Sequence, residues 1–491
     1  MNRNVLLLLV GMAIVPLGCT MAPKYAQPQA PVSADWPIGA AYTETRTATN
    51  APQALNLSWR EFITDEKLQQ VIGTALTNNR DLRIAALNVE RARAMYGIQR
   101  AELFPVVNAT GSGTRYRLPA DLANNNGQPI TASQYNANLG VASWELDFFG
   151  RIRSLKDQAL EEYLATEQAR RSAQILLVSS VAQAYLALAA DRENLALAET
   201  TLQAQKSSYD LIKRRRDLGL APELDLYRAQ TPVDIARRDV ARFVQQVAQD
   251  ENALNLLVGS PVPDGLLANE LGGVSAPTEI APGLPSGVLL RRPDVVQAED
   301  LLKAAYADIG AARAAFFPRI SLTAAIGTAS SDLSGLFKSG SGAWSYAPQI
   351  VMPIFDARTW SAHWAAKVQR EIAVTQYEKA IQSAFREVAD ALATRGTVDQ
   401  QVSAQQSLVH ASAETYRLSN SRYDKGIDSY LGVLDAQRSL FAAQQGLVSL
   451  RLAKLANQVS LYAVLGGGWE TEKQSNGSET VASASAKPRS N

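Results

Sequence analysis

The sequence predicts a mainly α chain of two tandem repeats, each carrying a pair of β-strands. Three observations predict it. Apolar residues recur at seven-residue spacing over long stretches, the pattern of helices packed along a seam. The second half of the chain repeats the first in the same order. Two pairs of stretches of about ten residues alternate apolar and polar side chains, the period of a strand.

Composition narrows the function classes. The chain has 491 residues, 48 Lys and Arg against 47 Asp and Glu, two His and one Cys. The near-zero net charge argues against binding nucleic acid by bulk charge. One cysteine cannot form an internal disulfide or a multi-cysteine zinc site. His363 and His410 are far apart in sequence, so neither a metal site nor a catalytic site is expected. Beyond the N-terminus there is no run of about 18 apolar residues, hence no ordinary membrane helix. The length is that of about three ordinary domains, but the repeats indicate one elongated domain.

Residues 1–18 form a leader. Arg3 precedes an apolar stretch from Val5 to Val15, which ends in Pro16-Leu17-Gly18-Cys19. A charged start, an apolar middle and small residues before a cut mark a signal peptide. The only cysteine at the cut, preceded by Leu-Gly, resembles a bacterial lipoprotein signal; Pro16 departs from its usual aliphatic residue. The resemblance implies N-palmitoyl and S-diacylglycerol groups on Cys19. These would hold the chain on a membrane at ~0.8 kcal/mol per buried CH₂. Thr20 follows, where an Asp would resemble an inner-membrane retention signal. The competing reading is an unmodified, buried Cys19 in an uncleaved leader.

Residues 19–58, rich in Pro, Ala, Thr and Gln, read as an extended tether, and residues 469–491 as a disordered tail. Between them lie repeat 1 (59–258), a Pro/Gly-rich linker (259–293) and repeat 2 (294–468). At a shift of 213, Arg100, Phe104 and Pro105 match Arg313, Phe317 and Pro318. At a shift of 207, Tyr209, Arg215, Asp217 and Gly219 match Tyr416, Arg422, Asp424 and Gly426. Each repeat opens with a helix (65–103; 294–316) that a proline stops. Two strands follow. A long helix comes next (154–217; 359–425), broken at Gly219 or Gly426, and a last helix returns (222–257; 430–465). A helix of 64 residues would be ~95 Å long.

The stripes are Val181, Leu188, Leu195, Leu202 and Tyr209; Leu226, Val233, Val240, Val247 and Leu254; and Leu434, Phe441, Val448, Leu455 and Tyr462. The strands are expected at about 106–118, 135–146, 319–329 and 344–353. Their alternation suits an outer-membrane β-barrel and equally a soluble hairpin packed on helices. Should they span a membrane, four strands cannot close a barrel, since the smallest have about eight. Open sheet edges are not tolerated in lipid, so several chains would have to pool their strands.

Specific motifs extend the reading. They are Cys19, Trp59-x-x-Phe62 with Leu68, Asn78-Asn79-Arg80-Asp81-Leu82, and Trp144-Glu145-Leu146-Asp147-x-Phe149-Gly150-Arg151. Gly283-Leu284-Pro285-Ser286, Arg291-Arg292-Pro293-Asp294, Ala311-Ala312-Arg313-Ala314-Ala315-Phe316-Phe317-Pro318 and Leu434-Asp435-Ala436-Gln437-Arg438 complete them. From Cys19 to Trp469 the chain resembles the TolC-like outer membrane factor family, in its lipoprotein branch, the OprM-like channels of multidrug efflux pumps.

The resemblance implies a homotrimer. Its long helices would form a hollow α-barrel across the periplasm, continued by a 12-stranded outer-membrane β-barrel, an allowed even count. It implies passive conduction of drugs or other small molecules. The partners implied are a periplasmic adaptor (membrane fusion protein), an inner-membrane transporter of the resistance-nodulation-division class and outer membrane lipid. No enzyme activity, no cofactor beyond the lipid on Cys19, no metal and no nucleic acid are expected.

The glycine breaks supply candidate sites. The resemblance places the adaptor at the turns carrying Gly219 and Leu220, and Gly426 and Ile427. Leu431, Asp435 and Arg438 lie at i, i+4 and i+7, one face of a helix. In the family the matching positions constrict the closed pore, with Asp225 and Arg228 after the first turn. Like charges in a ring repel unless paired, and Arg438 or Arg228 could pair Asp435. Where Gly432 stands some relatives carry a second acid, so the acidic ring here would be single. The plain alternative is an i,i+3 surface pair of Asp435 with Arg438.

Three rival functions remain at this level. An enzyme would use Glu161 and Glu162 or Glu387 and Asp390, but no His, Cys or Gly-rich loop converges on them. A structural periplasmic coiled-coil lipoprotein explains the stripes but not the strand pairs. An exit duct for type I protein secretion or metal efflux shares the whole architecture.

Overall fold

The computed structural model describes residues 20–42, 54, 57–122, 128–280 and 286–467. The leader, Cys19 and the tail predicted at 469–491 lie outside the described residues. The first repeat contains α1 (Trp59–Phe62), α2 (Glu66–Asn78), α3 (Arg80–Ala101), β1 (Val107–Leu118), β2 (Ile130–Leu146), α4 (Arg151–Asp217) and α5 (Glu223–Val258). The second contains α6 (Pro293–Ala314), β3 (Arg319–Ser330), β4 (Gly342–Val351), α7 (Ala357–Asp424) and α8 (Tyr430–Val464).

Local chemistry corrects the predicted plan in four places. The single helix expected at 65–103 is two helices, because Asn79 is extended and its side chain accepts from Leu82 N at 2.8 Å. Asparagine favours this N-cap role over a helix interior. Ser58 and Glu61 form a reciprocal capping box that starts α1, a helix too short for periodicity to reveal. Strand β2 begins at Ile130 instead of 135, because its first residues pair with the far end of β1. The linker predicted at 259–293 is packed: Leu267, Leu271, Val274 and Ile280 are buried, and Leu266 O accepts from the Tyr185 hydroxyl at 2.9 Å.

The chain forms two compact units, and neither coincides with a repeat. The first draws on Met1–Ala40, Asn78–Ala173 and Leu284–Ala393. The second draws on Ala41–Thr77, Gln174–Gly283 and Thr394–Asn491.

The first unit holds one antiparallel sheet, in the order β1-β2-β3-β4. Residues paired across strands share a face. Register therefore places Val107, Ala109, Tyr135, Leu139, Val141, Ile320, Leu322, Ile326, Trp344 and Ile350 together. The other face carries Asn108, Thr110, Ser112, Asn136, Asn138, Ser321, Thr323 and Gln349. Strand β2 changes parity between Val141 and Trp144, where Ser143 adopts φ +53° and the register shifts. Ser143 N donates instead to Thr323 Oγ1 at 3.1 Å. This bulge returns Trp144 and Leu146 to the apolar face, since one extra residue flips the pleat.

At the helix end of the sheet, Glu145 receives both donors of Arg151 at 2.8 Å. Asp147 accepts from Arg153 N at 2.9 Å, and Phe149 stacks on Phe317 at 4.9 Å. Of the segment predicted as a tether, residues 20–36 make contacts along this unit. Thr20 Oγ1 lies 3.2 Å from Ser154 Oγ, and Arg313 Nη1 donates to Met21 O at 3.2 Å. Tyr25 donates to Glu299 at 2.9 Å, and Trp36 stacks on Phe385 at 5.1 Å. Gly310 makes room for this segment, for a side chain there would meet Ala22 N at 2.8 Å.

The second unit is helical. Phe62 stacks on Tyr462 at 3.9 Å, and the Tyr462 hydroxyl donates to Leu57 O at 2.6 Å. In α5 the stripe residues Leu226, Val233 and Leu254 are buried with Ala229, Ala236 and Phe243 at the intervening positions, a heptad seam. One 18-residue window of α4 reaches a mean hydropathy of 1.6, and 61% of it is buried inside the chain.

Candidate pore gate and docking turns

The two glycine turns, both in the second unit, are built alike. Gly219 has φ +73°; its N donates to Arg216 O at 2.9 Å, and Leu220 N donates to Arg215 O at 2.8 Å. Gly426 has φ +73°; its N donates to Tyr423 O at 2.9 Å, and Ile427 N donates to Arg422 O at 2.9 Å. The left-handed residue lets the chain turn back while its amides cap the last helix carbonyls. A Cβ in that conformation costs roughly 1–2 kcal/mol, which is why glycine stands at both. The next residues point apolar side chains outward: Leu220 is 70% exposed and Ile427 58%.

Arginines end both long helices. Arg214, Arg215 and Arg216 close α4 and Arg422 closes α7, where cations meet the negative end of the helix dipole. Arg422 reaches across its turn and holds Asp428 through two contacts, at 2.5 and 3.2 Å. These hydrogen bonds keep the Asp428 carboxyl below the usual carboxylate range.

Behind the turns four helices share a small core. Ile212, Leu226, Ala229, Tyr430 and Val433 are buried together, with Tyr209, Tyr416, Tyr423 and Leu434 packed against them. Arg215 Nη1 donates to the Tyr423 hydroxyl at 2.9 Å, and Tyr423 packs 5.1 Å from Tyr430. Burial pushes the Tyr416 and Tyr430 phenols up.

The face of α8 that carries Leu431, Asp435 and Arg438 looks away from this core. All three are exposed, while Val433, Ala436 and Gln437 turn inward. Asp435 Oδ1 pairs with Arg438 Nη2 at 2.9 Å. On α5, Arg228 lies 3.6 Å from Asp225. Within one chain, then, Arg438 is the partner of Asp435 and Arg228 is not. The repeat shift of 207 adds a relation. It makes Leu224 equivalent to Leu431 and Arg228 equivalent to Asp435, so equivalent places on α5 and α8 carry opposite charges.

Sequence reasoning missed the tip core and the two arginine contacts. Their signal was present in the repeat, which matches Tyr209 to Tyr416 and Arg215 to Arg422. It also missed Asp250, which takes the position in the α5 seam between Val247 and Leu254. There burial, then a hydrogen bond with Asp191, pushes its carboxyl up to about 6. The carboxylates weighed for an enzyme do other things. Glu387 pairs with Arg292 at 2.8 Å, and Arg386 approaches Asp390 at 4.0 Å. Among the described residues no cluster of three or more His, Cys, Asp or Glu could hold a metal ion.

The model of the family described as outer membrane efflux protein matches residues 71–260 and 284–467. The chain is 50% identical over 483 residues to the toluene efflux pump outer membrane protein TtgC of Pseudomonas putida, covering 98% of this chain and 99% of that one. The antibiotic efflux pump outer membrane protein ArpC of Pseudomonas putida matches over the same extent. Among solved structures, a membrane protein from Pseudomonas aeruginosa is similar, with 42% identity and a TM-score of 0.85 over 92% of this chain and 98% of that one. The open state of the Neisseria gonorrhoeae MtrE outer membrane channel gives 36% identity and a TM-score of 0.79, over 92% and 98% of the two chains.

Proposed function

This chain belongs to the outer membrane efflux protein family, and on that premise we propose how it assembles as the outer membrane channel of a tripartite efflux pump. The observation that carries the reading is the four-stranded sheet, apolar on one face, with β1 and β4 unpaired at its edges among the described residues. An open edge in lipid leaves several kcal/mol per backbone group unmet. Three chains, joining β4 of one to β1 of the next, remove every edge and give a 12-stranded barrel. The polar and small face of the sheet then lines the lumen. Helices of 67 and 68 residues, each ~100 Å at 1.5 Å per residue, continue the duct through the periplasm.

The duct conducts and catalyses nothing. An inner-membrane transporter of the resistance-nodulation-division class supplies the energy, and a periplasmic adaptor docks on the turns at Gly219 and Leu220 and at Gly426 and Ile427. The exposed apolar side chains there support that docking. At the closed end, Leu431 contributes an apolar ring. Asp435 contributes an acidic ring, alternating with Arg228 at the equivalent position of α5. Alternation lets the charges approach without like-charge repulsion. Cys19 carries the acyl groups. Thr20, next in sequence, is held against Ser154 just below the sheet, which suits an anchor at the membrane surface. The cargo is small and varied, as the antibiotic and toluene pumps of the relatives suggest.

Reconstitution tests the reading. The purified chain should run as a heat-modifiable oligomer of three copies and conduct ions in planar bilayers. A monomer without conductance would leave only the structural coiled-coil function.

A further inference from the structure

We propose that Arg115 and Arg117 form a binding site for the phosphate groups of lipid in the outer leaflet of the membrane. The inference rests on reading the sheet as part of an outer-membrane barrel.

Register places both arginines on the lipid side. Val107, Ala109, Gly111, Gly113, Arg115 and Arg117 alternate along one face of β1. Their partners in β2 are Val141, Leu139, Ala137, Tyr135, Ser133 and Thr131. That face is the apolar one, and it changes character once along its length. On β2 it is aliphatic and aromatic from Leu146 to Tyr135; on β3 it is aliphatic from Ile320 to Ile326 and ends in Thr328 and Ser330. Beyond Tyr135 it becomes Ser133, Thr131 and the two arginines.

The height of the change fits a membrane. The apolar run of β2 from Leu146 to Tyr135 lies opposite Ile320 to Ser330 of β3, which counts its length past the bulge. Ten steps of ~3.4 Å, tilted by ~40°, rise about 26 Å, against an apolar band about 25 Å tall in outer-membrane barrels. Arg115 stands one alternate position above that band, and Arg117 one further. The arginines are at the loop end of the sheet. The opposite end runs into helices α4, α6 and α7, so the loop end faces the exterior.

Both side chains are exposed, and neither has an ion pair among the described residues. Each guanidinium is a planar fork of five donors that matches phosphate oxygens in pairs. At an outward position just above the hydrocarbon, the anion within reach is a lipid headgroup. The Tyr135 ring packs over Gly113, the residue below Arg115 on this face, where an added Cβ would meet it at 3.0 Å. It gives the site an aromatic floor at the interface. The competing partner is a carboxylate on the adjoining β3–β4 loop of a neighbouring copy, Asp332.

The test uses the full chain purified from outer membranes, comparing wild type, R115Q/R117Q and an R237Q control on α5. Bound lipid is quantified by native mass spectrometry, and diphosphoryl lipid A, its dephosphorylated form and inorganic phosphate are then added back. Conductance is recorded on the same preparations. The expected result is retention of diphosphoryl lipid A by wild type and control, and a loss of roughly tenfold in the double variant, the scale of one lost charge-assisted contact. Dephosphorylated lipid should not rebind, and inorganic phosphate should not displace the lipid.

Equal lipid retention by the double variant, with conductance intact, overturns this inference alone. Displacement by inorganic phosphate reassigns the arginines to free anion and overturns it as well. Loss of the oligomer with lipid content unchanged assigns them to Asp332 of the neighbour. Absence of conductance in wild type overturns the barrel and this site together.

Discussion

Arg215 Nη1 donates a hydrogen bond of 2.9 Å to the Tyr423 hydroxyl, joining the end of α4 to the end of α7. The guanidinium also lies 5.5 Å from the centre of the same ring. The two residues belong to different repeats and sit one turn before the equivalent glycines. This link holds two hairpins together where the pore is proposed to close. Tyr423→Phe removes the hydrogen bond, worth about 1 kcal/mol net, and keeps the ring. It is expected to raise single-channel conductance while the oligomer stays intact. Conductance equal to wild type would mean that the link is structural only.

The exposed face of α8 makes a second prediction. Leu431→Ala with Asp435→Ala removes both proposed rings and should raise conductance more than either change alone. Neither side chain is in the tip core, so thermal stability should move by less than about 0.5 kcal/mol. A conductance at the wild-type value would remove these residues from the gate. Arg438→Ala breaks the 2.9 Å pair but leaves both rings, and is expected to act weakly.

Asp250 makes the stability of the second unit depend on pH. Burial raises its carboxyl to about 6, with a contribution from Asp191. The folded value lies above the ordinary carboxylate value near 3.9. The protonated form is therefore the one that folding favours. Its stabilising contribution is complete below about pH 4 and is lost as pH rises through about 6. Asp250→Asn should raise the melting temperature at pH 7.5 and change it little at pH 4. Melting curves across that range check the sign, and a variant less stable at pH 7.5 would refute it.

The β2 bulge predicts a folding defect. Inserting one alanine after Ala142 would put Trp144 and Leu146 on the lumen face, because three steps of β2 between Val141 and Trp144 would become four against the two of β3. Moving two large apolar side chains from lipid to water costs roughly 1.5–3 kcal/mol each. The insertion form should fail to give the heat-modifiable oligomer, whereas deleting Ala142, which leaves Trp144 and Leu146 on the apolar face, and Ala142→Ser should both give it.

Cys19→Ala tests the anchor. Labelled palmitate should enter the wild type and not the variant, and mass spectrometry should place the mature wild-type N-terminus at Cys19. Label retained by the variant would point to another acylated residue or to none of the proposed chemistry.

Much of this protein was legible in the sequence because its signals are local and repeated. Seven-residue stripes specify long helices, glycines in the left-handed conformation mark the turns, and period-two alternation marks the strands. The family was legible for the same reason, since Trp144 through Arg151 and Arg291 through Asp294 each form a compact set of ion pairs and caps. Tertiary structure decided what depends on distant segments. Alternation in β2 breaks at Val141, and only its register against β3 shows that a bulge restores the apolar face. A Pro-rich stretch reads as a free tether until the partners Ser154, Glu299, Arg313 and Phe385 are brought beside it. Asp435 had two candidate arginines by sequence, and the fold places Arg438 against it while Arg228 pairs with Asp225. In each case the residue's neighbours across space, which a one-dimensional pattern does not contain, set the energy and so the role.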